Sequence, residues 1–224
     1  MKILIATSRP FLPEHYTGQN KTIFELCNGL AKAGHSVDVL TGWDTPSSES
    51  AVYREDVSGY RLYRSAKPLK ALSSLSLTIR PDVALVMDGD VENLSSTLLK
   101  LRLPVVIWYF EPPWQHFLHA EVSPRLVHIA SSDFVAKHVN AFYGVRAEII
   151  PPYIANTGYS QQNSGEHVLF MNPVRSKGFE IMLRVAQQRP DKLFTVVESW
   201  GLSSEWKQYC LGKLMHCGNI EWLP

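Results

Sequence analysis

The sequence predicts an α/β protein: one doubly wound parallel sheet, followed by a second, partial unit of the same kind. Three observations carry this. Short β-prone apolar runs alternate with segments whose apolar residues recur every three or four positions. Runs such as Val83-Ala84-Leu85-Val86-Met87 show no polar alternation, as expected of strands covered on both faces. A Pro151-Pro152 break and a polar stretch at 155–166, ANTGYSQQNSGE, divide the chain. The expected organisation is a first domain over 1–152, a linker over 153–166 and a partial second domain over 167–224.

Residues 2–6 open as a strand and lead into a loop holding Pro10, Pro13 and Gly18. Ile23, Leu26, Cys27 and Leu30 then lie at i, i+3, i+4 and i+7, the spacing of one helix face. Gly34 suits the end of that helix, and 36–40 is the second strand. After the Arg80-Pro81 break, 82–87 reads as a strand. Val91, Leu94, Leu98 and Leu101 read as the next helix face. Strands follow at 104–110 and 126–130. Ser131-Ser132-Asp133 offers capping chemistry for a helix whose apolar side includes Val135, Val139 and Phe142. A strand at 147–150 completes the first unit.

The second unit reads as strand 167–171, helix 179–188, strand 193–198, helix 204–216 and strand 219–223. Phe179, Met182, Leu183 and Ala186 form one stripe, and Trp206, Tyr209, Cys210 and Leu214 the other. About sixty residues make a small core, and domains of that size bury only ~60% of their unfolded surface. A chain ending at Pro224, directly after a strand, is therefore expected to be incomplete as a catalyst.

Composition narrows the function classes. Of the 224 residues, 22 are Lys or Arg and 21 Asp or Glu, a net charge of +1. Neither part of the chain is a basic platform, which argues against bulk capture of nucleic acid or an anionic membrane. A hydrophobic fraction of 45% excludes general disorder. No apolar run approaches the ~20 residues of a membrane-spanning helix, and the start lacks a signal-peptide pattern. Three cysteines, Cys27, Cys210 and Cys217, are odd in number and unclustered, which fits buried thiols in a reduced, cytoplasmic setting.

In open α/β sheets, ligands bind beyond the carboxyl ends of the strands. That rule points to the loops at 7–20, 88–91, 111–119 and 172–178. Tyr16-Thr17-Gly18-Gln19-Asn20 precedes a helix, as an anion site or an ordinary turn would, and it is not the GxGxxG dinucleotide fingerprint. In Asn172-Pro173-Val174-Arg175-Ser176-Lys177-Gly178, Lys177 stands at a helix N-terminus. There it can grip a diphosphate, or simply belong to a solvated basic turn. His116 and His119 lack the third ligand a metal site needs. Asp88-Gly89-Asp90 can be read as a carboxylate pair for acid–base or metal chemistry, but two acids at a strand end with no third partner read more readily as a solvated turn or cap. Ser199-Trp200-Gly201 follows a strand on the ligand side, either approaching a ligand or forming a turn.

Taken together and in order, these segments resemble glycosyltransferase family 4, retaining sugar-nucleotide transferases of GT-B fold. The resemblance covers essentially the whole chain. It rests on KILIATSRPFLP, TGQNKTIFELCNGLAKAGHSVDVLT, RPDVALV, VHIASSDFVAKHV with IIPPYI, VLFMNPVRSKGFEIMLRVAQQRP, LFTVVESWG and NIEWLP. It raises the phosphate reading of Lys177 above the plain turn.

The resemblance implies a nucleoside diphosphate sugar as donor, bound mainly by the second domain. The acceptor, a hydroxyl on a sugar, a lipid-linked sugar or a small molecule, is bound mainly by the first. Gly18 matches the glycine-rich loop near the donor diphosphate, with Tyr16 beside it as a sugar or acceptor contact. Lys177 and Gly178 match the KG pair that binds the diphosphate, and Ser199 falls in a donor-side loop. The family usually has an arginine five or six residues before the lysine. Those positions are Asn172 and Met171, leaving Asn172 or Arg175 to take its place.

The loop after 104–110 often carries a histidine in the family, but here it reads Tyr109-Phe110-Glu111-Pro112-Pro113-Trp114. Glu111 is the candidate catalytic or acceptor-binding carboxylate, with a solvated surface acid as the alternative. Trp114 is a candidate for stacking on a sugar, with packing as the alternative. The family's paired glutamates would fall beyond Pro224, implying association with a further C-terminal portion. No cofactor and no metal are expected, because the nucleotide sugar is a substrate. Two other readings stand beside this one: a non-catalytic nucleotide-sugar-binding or partner-binding fragment, and a nucleotide-sugar epimerase of the same architecture.

Overall fold

The computed structural model describes residues 1–13, 15–43, 52–57, 59–112, 123–154, 165–199 and 201–223. Two compact units make up the chain, Met1–Asn156 and Thr157–Pro224.

In the first unit the elements run β1 (Lys2–Pro10), α1 (Gly18–Lys32), β2 (Ser36–Gly42), β3 (Val52–Val57), β4 (Tyr60–Ser65), α2 (Pro68–Ile79), β5 (Val83–Val86), α3 (Val91–Lys100), β6 (Val105–Tyr109), β7 (Leu126–Ala130), α4 (Asp133–Tyr143) and β8 (Glu148–Ile149). The strands form one sheet in the order β3-β4-β2-β1-β5-β6-β7-β8. Only β3 with β4 is antiparallel. β1 is central, pairing with β2 on one side and β5 on the other. The chain winds outward through β2 and β4, then returns to β5 across β1. That reversal is the topological switch point, where ligands of open parallel sheets bind.

The core explains the apolar runs. Successive residues of a strand point to opposite faces. Ile3 and Ile5 therefore meet Ile23 and Cys27 of α1 on one side. Leu4 and Ala6 meet Leu72 of α2 and Leu94 and Leu98 of α3 on the other. Strand β1 runs four residues beyond the expected end, to Pro10, because Gly42 still pairs with it there.

Apolar periodicity leaves β3, β4 and α2 unassigned. β3 is an edge strand whose burial is almost nil, and its sequence VYREDV carries the charges that protect an open edge. On α4, Val135 and Val139 are buried as expected, but Phe142 is 55% exposed. The packed stripe runs through Val135, Ala136, Val139 and Tyr143, which leaves Phe142 at its margin.

One polar pair lies inside this layer. Asp38, with a fully buried side chain, accepts two bonds of 2.6 Å from Nε and Nη2 of Arg61, its register partner on β4. A bidentate guanidinium satisfies the carboxylate and offsets its desolvation.

His128 is buried on β7, its Nδ1 3.1 Å from the Tyr109 hydroxyl. Burial lowers the His128 pKa and raises that of Tyr109. The folded protein thus favours neutral His128, whereas an unfolded histidine titrates near ~6.5. The stabilisation is complete above that value. As pH falls below it, the unfolded chain takes up a proton the folded one refuses, and stability declines. Thermal melts are expected to show Tm falling from about pH 7.5 to about pH 5.5, with a shallower fall in His128→Gln. An unchanged slope in the variant would assign the pH dependence to other groups.

The second unit contains β9 (His167–Met171), a single 3₁₀ turn (Arg175–Lys177), α5 (Phe179–Gln188), β10 (Leu193–Val197), α6 (Ser204–Leu214) and β11 (Ile220–Leu223). Its three strands are parallel, in the order β11-β10-β9. The stripe of Phe179, Met182, Leu183 and Ala186 packs with Phe194, Val196, Cys210 and Leu214 in one cluster. The opposite sheet face is open: Leu169 is 60% and Leu193 50% exposed. Tyr209 stands 38% exposed at the margin of the α6 stripe.

All three cysteines are buried and free. Burial raises the pKa of Cys27, and raises that of Cys210 to about 11, so both thiols stay protonated. Among the described residues, no helix is long and apolar enough to cross a membrane.

Candidate functional site

The switch point of the first unit is built from the loops that follow β1 and β5. Ser8 Oγ accepts from the Asp90 amide at 2.7 Å, tying the two loops together. Asp90 in turn caps α3 through the Asn93 amide at 3.3 Å. Asp88 accepts from the Gly89 amide at 2.6 Å and stands 3.7 Å from Arg9 Nε. The 88–90 carboxylates therefore serve a turn and a cap, the role their spacing predicts.

The loop ahead of α1 is held by Asn20, which is 2% exposed. Its side-chain amide donates to the carbonyls of Pro10, at 3.1 Å, and His15, at 2.7 Å. Thr17 caps the helix by accepting from the Asn20 amide at 3.1 Å. Gly18 is the first helical residue, and a Cβ built on it would meet nothing within 4 Å. Neither crowding nor backbone conformation requires glycine there. Tyr16 next to it is 63% exposed. Glu111 is exposed in a bend just after β6. Trp114, together with His116, Phe117 and His119, lies outside the described residues.

In the second unit, the turn after β9 collects several of the named residues. Asn172 is buried in the left-handed conformation, φ 58°. Its Oδ1 accepts from the Ser199 amide at 3.1 Å and the Ser199 hydroxyl at 2.5 Å, locking the β9 and β10 turns together. The 3₁₀ turn then exposes Lys177. Gly178 follows at φ 83° as the N-cap of α5, and no side chain caps that helix. By contrast, Thr17, Asp90, Ser132 and Ser203 cap α1, α3, α4 and α6. The Ile181 amide already donates to the Gly178 carbonyl at 3.0 Å, so the α5 N-terminus keeps the amides ahead of it for another acceptor, beside an exposed Lys177.

Arg175 faces a different neighbour. Its Nε is 3.7 Å from Glu180, and its guanidinium carbon sits 5.0 Å from the centre of the Trp206 ring. Trp206 is fixed by its indole N–H, which donates to the Pro173 carbonyl at 2.7 Å. So Lys177, Gly178, Asn172 and Ser199 share one turn cluster, while Arg175 leans toward α6. Sequence reasoning gave no individual site role to Asn20, Ser8 or Trp206. The one available signal was Asn172 itself, since asparagine is enriched in left-handed backbone at turns.

Two successive Rossmann-like units, with glycine-bearing turns at the carboxyl ends of their strands, define the GT-B class of glycosyltransferases. Solved structures bear out the fold. A glycosyltransferase from Rickettsia africae ESF-5 superposes with a TM-score of 0.64 at 12% identity, covering 99% of this chain and 68% of that one. WaaG, a glycosyltransferase involved in lipopolysaccharide biosynthesis, gives 0.62 at 14% identity, with coverage of 99% and 69%. An alpha-glucosyltransferase in complex with UDP and DNA gives 0.61 at 15% identity over 95% of this chain. The present chain spans 60% of that protein's length. The sequence profile of Glycosyltransferase Family 4 matches residues 16–155, well over half of the chain, and the protein belongs to that family. No curated protein matches the sequence.

Proposed function

We propose that the protein serves the transfer of a sugar from a nucleoside diphosphate sugar to a hydroxyl acceptor, with retention of anomeric configuration. The observation that carries this reading is the turn after β9: an exposed Lys177 beside the only partly satisfied N-terminus of α5. In the reaction, the bond from the anomeric carbon to the diphosphate oxygen breaks and the diphosphate keeps the electron pair. The acceptor oxygen bonds to the same carbon and gives up its proton. The barrier falls if the growing negative charge on the diphosphate meets preorganised positive charge. The ammonium of Lys177 and the α5 amides supply that charge, so the scheme calls on no metal.

In this scheme residues 167–224 hold the donor and 1–152 the acceptor, with 153–166 as linker. Glu111 orients the acceptor hydroxyl, Tyr16 contacts the sugar or acceptor, and the Gly18 loop approaches the donor. UDP in the alpha-glucosyltransferase structure is in keeping with a nucleotide donor. A panel of nucleoside diphosphate sugars, each incubated with the protein with and without mixed hydroxyl acceptors, tests the reading. Acceptor-dependent release of nucleoside diphosphate is expected, with product configuration read by NMR. Sugar interconversion without acceptor would replace it with an epimerase. Binding without turnover would leave a nucleotide-sugar-binding protein.

A further inference from the structure

We propose that the open pocket between the turn after β9 and the start of α6 takes the base of the donor nucleotide and selects guanine. The inference deepens the nucleotide-sugar reading and rests on it. The pocket has a volume of about 560 Å³, and Arg175, Glu205, Trp206 and Tyr209 line it together with residues 201–203. That volume suits a purine nucleoside, and the position is the carboxyl-end side of β9 and β10, where parallel sheets take ligands.

Its walls fit a planar, hydrogen-bonding ligand. Trp206 and Tyr209 are stacked with centroids 4.9 Å apart and planes 21° from parallel. The indole is pinned by its bond to Pro173, so little rotamer freedom is lost when a base packs against the pair. The guanidinium of Arg175 rests 5.0 Å from the Trp206 ring centre and 3.7 Å from Glu180; on a side chain 77% exposed, it can shift off the ring and lie on the base as a second plane.

Glu205 decides which base. It stands in the first turn of α6 and has no ion-pair partner among the described residues. A carboxylate only accepts hydrogen bonds. Guanine presents two adjacent donors, N1–H and the 2-amino group, which match the two carboxylate oxygens. Uracil presents one N–H between two carbonyls that repel a carboxylate, and adenine presents only its amino group. A good bidentate pair discriminates by roughly tenfold or more against a wrong base.

Calorimetric titration of the full chain with GDP, ADP and UDP tests this, using the wild type, Glu205→Gln, Tyr209→Ala and Lys177→Ala, with thermal melts as the check on folding. GDP is expected to bind about tenfold or more tighter than UDP and ADP. Glu205→Gln should erase that preference by weakening GDP alone, and Tyr209→Ala should weaken GDP several-fold. If all three nucleotides bind equally and Glu205→Gln changes nothing, the pocket assignment is overturned. In that case the nucleotide reading survives, provided Lys177→Ala still weakens all three. If no nucleotide binds the wild type, both fall together.

Discussion

Lys177→Ala is expected to weaken the binding of a nucleoside diphosphate by about tenfold to a hundredfold, and to leave binding of the free nucleoside within about twofold. A charge-assisted hydrogen bond contributes ~1.5–3 kcal/mol, and a phosphate engages the lysine only through its charge. The residue lies in an exposed turn, so its removal opens no cavity and leaves the α5 stripe untouched. Added salt should erode the wild-type affinity for diphosphate more than that of the variant, because the contact is solvent-accessible. Calorimetry of both ligands on both proteins reads the difference directly. Equal losses for nucleoside and diphosphate would reject the phosphate role and, with it, the leaving-group chemistry assigned to this turn.

Gly42→Ala is expected to cost about 2–3 kcal/mol of stability. A Cβ there would overlap the Ser8 carbonyl oxygen and stand 3.0 Å from the carbonyl carbons of Ser8 and Arg9. Those are backbone atoms of the central strand, in the register shift just before Pro10 pairs with Gly42, and they cannot rotate away as a side chain could. Urea denaturation should show a lower midpoint with an unchanged slope. A midpoint equal to wild type would mean that β1 and β2 separate more easily than their pairing implies. Gly18→Ala is the contrast. With open space around its Cβ, the same substitution should leave stability equal or up to ~1 kcal/mol better, through helix propensity. Turnover of nucleotide sugar should nevertheless fall, if the donor comes close to that backbone. Full activity in Gly18→Ala would remove the loop from the proposed site.

Much of the fold was legible because its signal is local. The stripe Phe179, Met182, Leu183, Ala186 is fully buried at the spacing that predicted it. Strands 126–130 and 167–171 begin and end where the apolar runs do. The hairpin of β3 and β4 was not legible. β3 carries three charged residues in a row, Arg54-Glu55-Asp56, and the hairpin's pairing is an edge effect fixed by β2 rather than by any periodic pattern. Phe142 shows the same limit from the other side. A helix stripe states which residues align, but only packing states where the covered face is centred, here on Ala136, Val139 and Tyr143.

The candidate site divides in the same way. Lys177 and Gly178 could be found from a strand, a turn and a helix read in succession, because all three are neighbours in the chain. The bond from Ser199 to Asn172 spans 27 residues, and the seat of Arg175 on Trp206 spans 31. Sequence alone determined the alternation of strands and helices, and through it the end of each sheet at which ligands bind. Only tertiary structure decided which side chains are already engaged there: Asn172 by Ser199, Arg175 by Trp206 and Glu180, Asp90 by the cap of α3. The physical reason is range. Backbone periodicity is set by steric and hydrogen-bonding forces within a few residues. The partner of a polar side chain is set by which distant turn the sheet register brings within about 3 Å of it.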